Sequence, residues 1–221
     1  MYELYTSYLT PASVLIPLVI GLCYYSVLGT SYRFLIAYLS FSVLASILGI
    51  VFAYVFHNNL IVNRIYTIGE FILLSGFYYH QFSSLTLRKC ILIMMIAFTA
   101  LCIYLMVIFA HVSRFDDYST STESLLVIFL SLALTVSHNN SSLARKWQSE
   151  SINWFNTGIL LYFSGALFIF LTFNYMWSLP LLRHIAWVIH DTLLLLLSVI
   201  FTIGFYKVKK EQESISRSQS V

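Results

Sequence analysis

Charge is what this sequence has least of. Only 12 of its 221 residues are Lys or Arg and 9 are Asp or Glu, together 10%, against about 25% in an ordinary soluble domain. So few charges cannot cover the folded surface of a soluble protein of this length. Disorder is excluded from the other side. It requires a shortage of large apolar residues, yet 59% of this chain is hydrophobic and 17% aromatic. Mean hydropathy is +0.83. A polytopic membrane protein remains.

Further absences narrow the class. A helical span takes about 20 residues. Seven spans with short loops therefore use most of the chain and leave no room for a soluble kinase, nucleotide-binding or DNA-binding domain. The net charge is only +3 and the basic residues are scattered, so nucleic acid finds no footprint. Cysteine is confined to Cys23, Cys90 and Cys102, in apolar stretches and without a CxxC pair. They read as small buried hydrophobes, not as disulfide or metal positions. Alternating segments of about 10 residues, which a membrane barrel would need, are missing.

What is present is a series of apolar stretches separated by polar turns. They run from Thr10 to Leu28, Arg33 to Phe56, Leu60 to Phe82, Lys89 to Ala110, Thr120 to Ser137, Ile152 to Trp177 and Pro180 to Tyr206. Each is expected to be a helix, because a span must satisfy its own backbone within the bilayer. The first is expected to be a retained span. Its flank, Met1-Tyr2-Glu3-Leu4-Tyr5, lacks the basic start of a signal peptide. Pro11 suits a first turn, whereas Pro17 should kink the helix.

Orientation follows from the basic residues. An outside N-terminus puts nine of them in the cytoplasm: Arg33, Arg88, Lys89, Arg145, Lys146, Lys207, Lys209, Lys210 and Arg217. Only Arg64, Arg114 and Arg183 then lie outside, in line with the positive-inside rule. The expectation is an all-α helix bundle of seven transmembrane helices, N-out and C-in. Residues 1–207 form the membrane domain. Residues 208–221 form a polar cytoplasmic tail, disordered beyond a short helical extension.

Polar groups inside spans point to function, since ionisable side chains at depth are costly and face the bundle interior. Glu70 stands about 15 Å into the third span at 1.5 Å per residue. Asn63, Thr67, Glu70, Leu74, Phe77 and Gln81 follow steps of four and three and share one face. Tyr66 and Arg64 lie close by. In the seventh span His184, Trp187 and Asp191 share a face, with His190 about 100° around from Asp191. Matched depth makes a contact from Glu70 to His190 or Asp191 geometrically feasible if the third and seventh helices are neighbours. Glu123 follows Ser119-Thr120-Ser121-Thr122 and reads as part of a helix-start signal. Asp116 and Asp117 read as solvated loop charge, and Asn174 and Tyr175 end the sixth span on the outer side. Gly158 and Gly165, seven apart, share a face that permits close helix approach. The inner half is poorer, with His80, Gln81, Asn156 and Thr157. The asymmetry suggests a polar pocket that opens outward.

Named chemistries fail on particular residues. A retinal protein needs a lysine in mid-helix, and the five lysines here sit at span ends or in the tail. Haem ligation needs two facing histidines at one depth, but only His190 is deep, while His57, His111 and His184 lie near one surface and His80 and His138 near the other. A membrane zinc hydrolase could gather His184, His190, Asp191, Glu70 and Glu123, yet no HExxH or HxxxH pair exists. A carrier would show inverted repeats, and no repeat of three spans plus three is evident.

The runs Asn63-Arg64-Ile65-Tyr66-Thr67-Ile68-Gly69-Glu70-Phe71, Trp154-Phe155-Asn156-Thr157-Gly158 with Tyr162-Phe163-Ser164-Gly165, and Trp187-Val188-Ile189-His190 resemble those of small, uncharacterised bacterial seven-helix inner-membrane proteins. The resemblance implies a bacterial inner-membrane location and an association with two-component signalling. It carries over no catalytic residue.

The sequence thus points to a sensor or receptor-like module in the lipid bilayer that binds a small molecule or lipid and signals to a separate cytoplasmic protein. The expected ligand-binding residues are Glu70, His190, Asp191, Trp187, Tyr66, Thr67, Asn63 and His184. No catalytic residue, metal or cofactor is assigned. A small carrier or channel and a metal-dependent hydrolase are the alternatives.

Overall fold

The structure is a computed structural model that describes residues 5, 9–108, 117–141, 147–176 and 178–219. The expectations for His111, Arg114, Asp116, Arg145, Lys146 and Trp177 lie outside the described residues. Among the described residues every element is helical. In chain order the helices are α1 (Thr10–Cys23), α2 (Thr30–Phe56), α3 (Leu60–Gln81), α4 (Leu85–Ile108), α5 (Asp117–Ser141), α6 (Ser151–Met176) and α7 (Pro180–Gln219). The last six each contain a segment long and apolar enough to cross a membrane. Their outward side chains are apolar: Ile50, Tyr54, Ile93, Ile96, Phe168 and Leu181 are all well exposed, as a lipid-facing surface requires.

The first expected span is shorter than its composition suggests. The 14 residues of α1 measure about 21 Å at 1.5 Å per residue, short of a hydrocarbon core about 30 Å thick. The helix is interrupted at Val14 and gives way to a 3-10 turn at Tyr25–Val27. Pro17 explains the interruption, because it has no N–H for the Ser13 carbonyl and its ring crowds that carbonyl. At the end of α2, His57 turns the chain with a left-handed φ of 52°, a helix-ending conformation that a non-glycine residue seldom takes.

Glycine fixes how the helices meet. A Cβ on Gly69 would lie 2.2 Å from the Phe41 ring, and one on Gly76 2.4 Å from Phe34. Two phenylalanines seven residues apart on α2 thus seat in two glycine hollows seven apart on α3. In the other hairpin Gly165 receives Leu193 of α7, and Gly158 receives Ile200 and Leu197. The close approach expected of this glycine pair is realised. α5 packs on both α3 and α6 and joins the two hairpins. α1 runs parallel to α7. The Tyr5 and Thr192 hydroxyls are hydrogen-bonded at 2.9 Å, Ser13 Oγ donates to Ser198 Oγ at 3.2 Å, and Gly21 abuts Phe205.

Basic side chains gather at the end where α2, α4 and α6 begin. Arg33 and Arg88 donate to the Leu28 and Phe82 carbonyls, and Lys209 lies over the Tyr24 ring. His138 pairs with Glu150 here. Cys102 is buried, but Cys23 and Cys90 lie on the exterior and not in the core.

Here too the tail departs from expectation. α7 remains helical to Gln219, where composition suggests disorder past a short extension. Glu211 supplies a reason. Its Oε1 accepts the Ser151 N–H at 2.5 Å and its Oε2 accepts the Ser151 hydroxyl at 2.9 Å. A carboxylate from α7 therefore caps the N-terminus of α6, where the helix dipole favours negative charge. Lys209 and Glu213 add an ion pair one turn apart at 3.8 Å. Glu211→Ala should lower stability by about 1 kcal/mol, the usual scale of a lost cap. Denaturation in mixed micelles followed by circular dichroism checks this; an unchanged midpoint would refute the cap.

Candidate functional site

At the end of the bundle opposite the basic residues, α2 and α6 finish and α3, α5 and α7 begin. These five helices line an open cavity of about 410 Å³. α3 contributes Asn63, Thr67 and Glu70, which lie on the face predicted from their spacing, and Tyr66 beside them. α7 contributes Trp187, His190 and Leu194; α6 contributes Tyr162, Phe163 and Phe170; α5 contributes Thr120 and Glu123. α2 forms the rim with Ser46, Ile50 and Ala53, all exposed. No Lys or Arg is among the lining residues.

The polar groups are organised in pairs. Tyr66 Oη donates to Glu70 Oε1 at 3.0 Å and lies 3.4 Å from Ser42 Oγ. The Phe41 ring stacks on Tyr66 with centroids 5.8 Å apart, which holds the phenol in place. Across the cavity, Tyr162 Oη shares a 3.0 Å hydrogen bond with His190 Nε2. The imidazole is ringed by Trp187, Tyr162 and Phe170, with centroids at 5.5, 5.7 and 5.9 Å. Glu70 is 5% exposed and Glu123 2%.

Six of the eight expected ligand-binding residues line this cavity: Asn63, Tyr66, Thr67, Glu70, Trp187 and His190. His184 and Asp191 do not. The face expected of His184, Trp187 and Asp191 is replaced by one made of Trp187, His190 and Leu194. The cause is rotation of α7, fixed by Leu193 and Leu197 against α6 and by Thr192 and Ser198 against α1. Asp191 stands behind the imidazole, its Oδ1 3.5 Å from His190 Nδ1. Nor do α3 and α7 pack as neighbours: α3 rests on α2, α4 and α5, and α7 on α6 and α1. Among the described residues no hydrogen bond or ion pair joins Glu70 to His190 or Asp191. The two groups face the same space from separate helices.

Two lining residues have a different place from the one their sequence context suggests, or none. Glu123 reads as part of a helix start, but α5 begins earlier, at Asp117, and the extra turn carries Glu123 into the interior. Tyr162 is one of 16 tyrosines and its residue type alone does not set it apart. Its spacing between Gly158 and Gly165 was the usable signal, since a glycine face against α7 turns Tyr162 toward His190.

A second polar cluster lies near the basic end. Asn156 Oδ1 accepts from Tyr78 Oη at 3.1 Å and from Ser131 Oγ at 2.8 Å, while Asn156 Nδ2 donates to the Ser131 carbonyl at 3.1 Å and to Thr135 Oγ1 at 2.9 Å. Every hydrogen-bonding position of the amide is used, so this cluster joins α3, α5 and α6 and offers no open chemistry. The cavity differs. It combines two carboxyl groups, phenols and an imidazole with aromatic walls. Among the described residues no three His, Cys, Asp or Glu side chains come together as metal ligands. No family model, curated protein or solved structure matches this chain, so its function is argued from its own side chains.

Proposed function

We propose that this protein is a seven-pass, N-out/C-in receptor-like module of the bacterial inner membrane that binds a small molecule or lipid in the cavity of Glu70 and His190. The basic end supports the orientation, because positive charge is retained in the cytoplasm. Although α1 is short, contacts from Tyr5 to Thr192 and from Tyr24 to Lys209 carry the first segment along about 26 Å of α7 at 1.5 Å per residue, which supports its place as the first pass. The cavity then opens toward the outer face. Signal would leave through Arg88, Lys89 and the Lys207–Lys210 segment to a separate cytoplasmic protein.

The observation that carries the reading is the cavity itself. Its volume falls in the range of small-molecule sites, about 300–1,000 Å³, and it sets a few polar groups among aromatic walls. Side chains that only locked helices together would close on one another, as the Asn156 cluster does. Native mass spectrometry of wild type and Glu70→Gln in mild detergent tests the proposal. A stoichiometric extra mass on the wild type, lost in the variant, is expected. Bare protein in both samples would overturn it.

A further inference from the structure

We infer that the cavity selects an organic ammonium cation on an apolar body, its charge held by Glu123 and Glu70 and its body by Trp187, Phe170 and Tyr162. The inference rests on the reading of this cavity as a binding site and specifies what it binds.

Three independent observations converge. The first is charge. Two carboxyl groups line the space and no Lys or Arg does. His190 Nε2 is engaged by Tyr162, and its Nδ1, which has no hydrogen-bond partner among the described residues, stands 3.5 Å from Asp191 Oδ1. An anionic ligand would meet two carboxyl groups with no Lys or Arg in the lining to offset them. The second is an orphaned atom. Glu123 is 2% exposed and lines the cavity, yet its Oε1 has no hydrogen-bond partner among the described residues. A buried polar atom without a partner is costly to keep, and a bound N–H or ammonium group would satisfy it. The third is the wall. Trp187 and Tyr162 line the same space as the carboxyl groups, and aromatic rings, tryptophan best, attract organic cations.

Size and surroundings refine the class. About 410 Å³ is far more than a bare inorganic cation fills. The exposed α2 rim, Ser46, Ile50 and Ala53, admits a molecule with apolar character from the membrane side. An ammonium group can arrive on a free amine or on a lipid headgroup. A lipid also brings phosphate, for which the lining offers no Lys or Arg, and this favours the free amine.

The test uses the full chain in detergent micelles with defined probes. These are benzylammonium, its uncharged isostere ethylbenzene, benzenesulfonate, and dihexanoylphosphatidylethanolamine for the lipid source. Binding is read from tryptophan fluorescence and from the thermal unfolding midpoint. The ammonium probe should bind at least tenfold more tightly than the neutral isostere, and the sulfonate not at all. Glu123→Gln, which keeps the shape and removes the charge, should lose at least tenfold. Glu70→Gln is the second charge variant. Gly49→Leu should block every probe without a clash, because a Cβ at Gly49 meets nothing within 4 Å. Competition by the phospholipid as strong as by the ammonium probe would assign the headgroup as the source and keep the ammonium chemistry. Equal binding of the neutral isostere, or undiminished binding in both Gln variants, would overturn cation selectivity while leaving a binding cavity. Failure of all probes on a protein that still carries a native adduct would overturn the cation alone. Failure with no adduct would overturn both readings.

Discussion

Asn156→Leu should destabilise the protein by about 2–4 kcal/mol. The substitution removes four side-chain hydrogen bonds at once. Measured averages inside membranes are about 0.6 kcal/mol per bond and reach about 1.7. The damage falls unevenly. Ser131 Oγ keeps the Asn156 backbone carbonyl at 3.3 Å, and Thr135 keeps the Ser131 carbonyl at 3.0 Å. Tyr78 is fully buried and is left with only the Ser131 hydroxyl beside it. A buried donor that loses its acceptor costs up to about 1–3 kcal/mol, so the largest share of the loss is assigned to this phenol. Adding Tyr78→Phe to the leucine variant should therefore recover about 1 kcal/mol, although Tyr78→Phe alone is destabilising. Unfolding of the double-mutant cycle in mixed micelles measures the coupling. Strict additivity of the two substitutions would mean that the amide is not the partner that matters.

Gly69→Leu is expected to cost about 1–3 kcal/mol, as overpacking a closed contact usually does. Even a bare Cβ here would sit 2.2 Å from the Phe41 ring, so the ring must leave. The ring cannot leave alone, because it stacks on Tyr66, which in turn donates to Glu70. Loss of stability should thus be accompanied by loss of ligand or probe binding, though residue 69 does not line the cavity. Phe41→Leu in the same chain should restore part of the stability by vacating the hollow. Gly49→Ala is the control. It is also a helix glycine, it meets open space, and it should be neutral or gain up to about 1 kcal/mol from helix propensity. Equal behaviour of the two glycines would show that α2 and α3 are not seated as described.

The sequence made the helices legible because lipid removes ambiguity. An apolar run of twenty residues has one way to satisfy its backbone, and the third stretch, expected from Leu60 to Phe82, is a helix over Leu60–Gln81. Errors arose where a local interaction overrode composition. Pro17 broke the first run, and Glu211 drew the polar tail into a helix by binding Ser151. The cavity was legible on α3, where spacing alone puts Asn63, Thr67 and Glu70 on one side. It was only half legible on α7. Periodicity says which residues share a face, but not which face turns inward. That choice was made by leucines packing on Gly158 and Gly165, contacts between helices that are distant from one another in a single span's pattern. Glu123 was misplaced for a smaller reason, a helix that begins one turn early.

The glycine hollows also govern how this molecule can move. Phe34 and Phe41 in Gly76 and Gly69, like Leu193 and Ile200 against Gly165 and Gly158, act as teeth spaced seven residues apart. A helix sliding past its partner would have to travel about 10 Å to mesh again, at 1.5 Å per residue. Each hairpin therefore behaves as a stiff jaw, and piston strokes within a hairpin are ruled out at small amplitude. The freedom left is between jaws, α2 and α3 on one side and α6 and α7 on the other, with α5 between them. The Asn156 cluster pins that assembly near the basic end, and the cavity lies at the opposite end. Near that end Tyr32 of α2 also bonds Ser151 of α6 at 2.9 Å, so the two jaws are tied there by hydrogen bonds that the cavity end does not share.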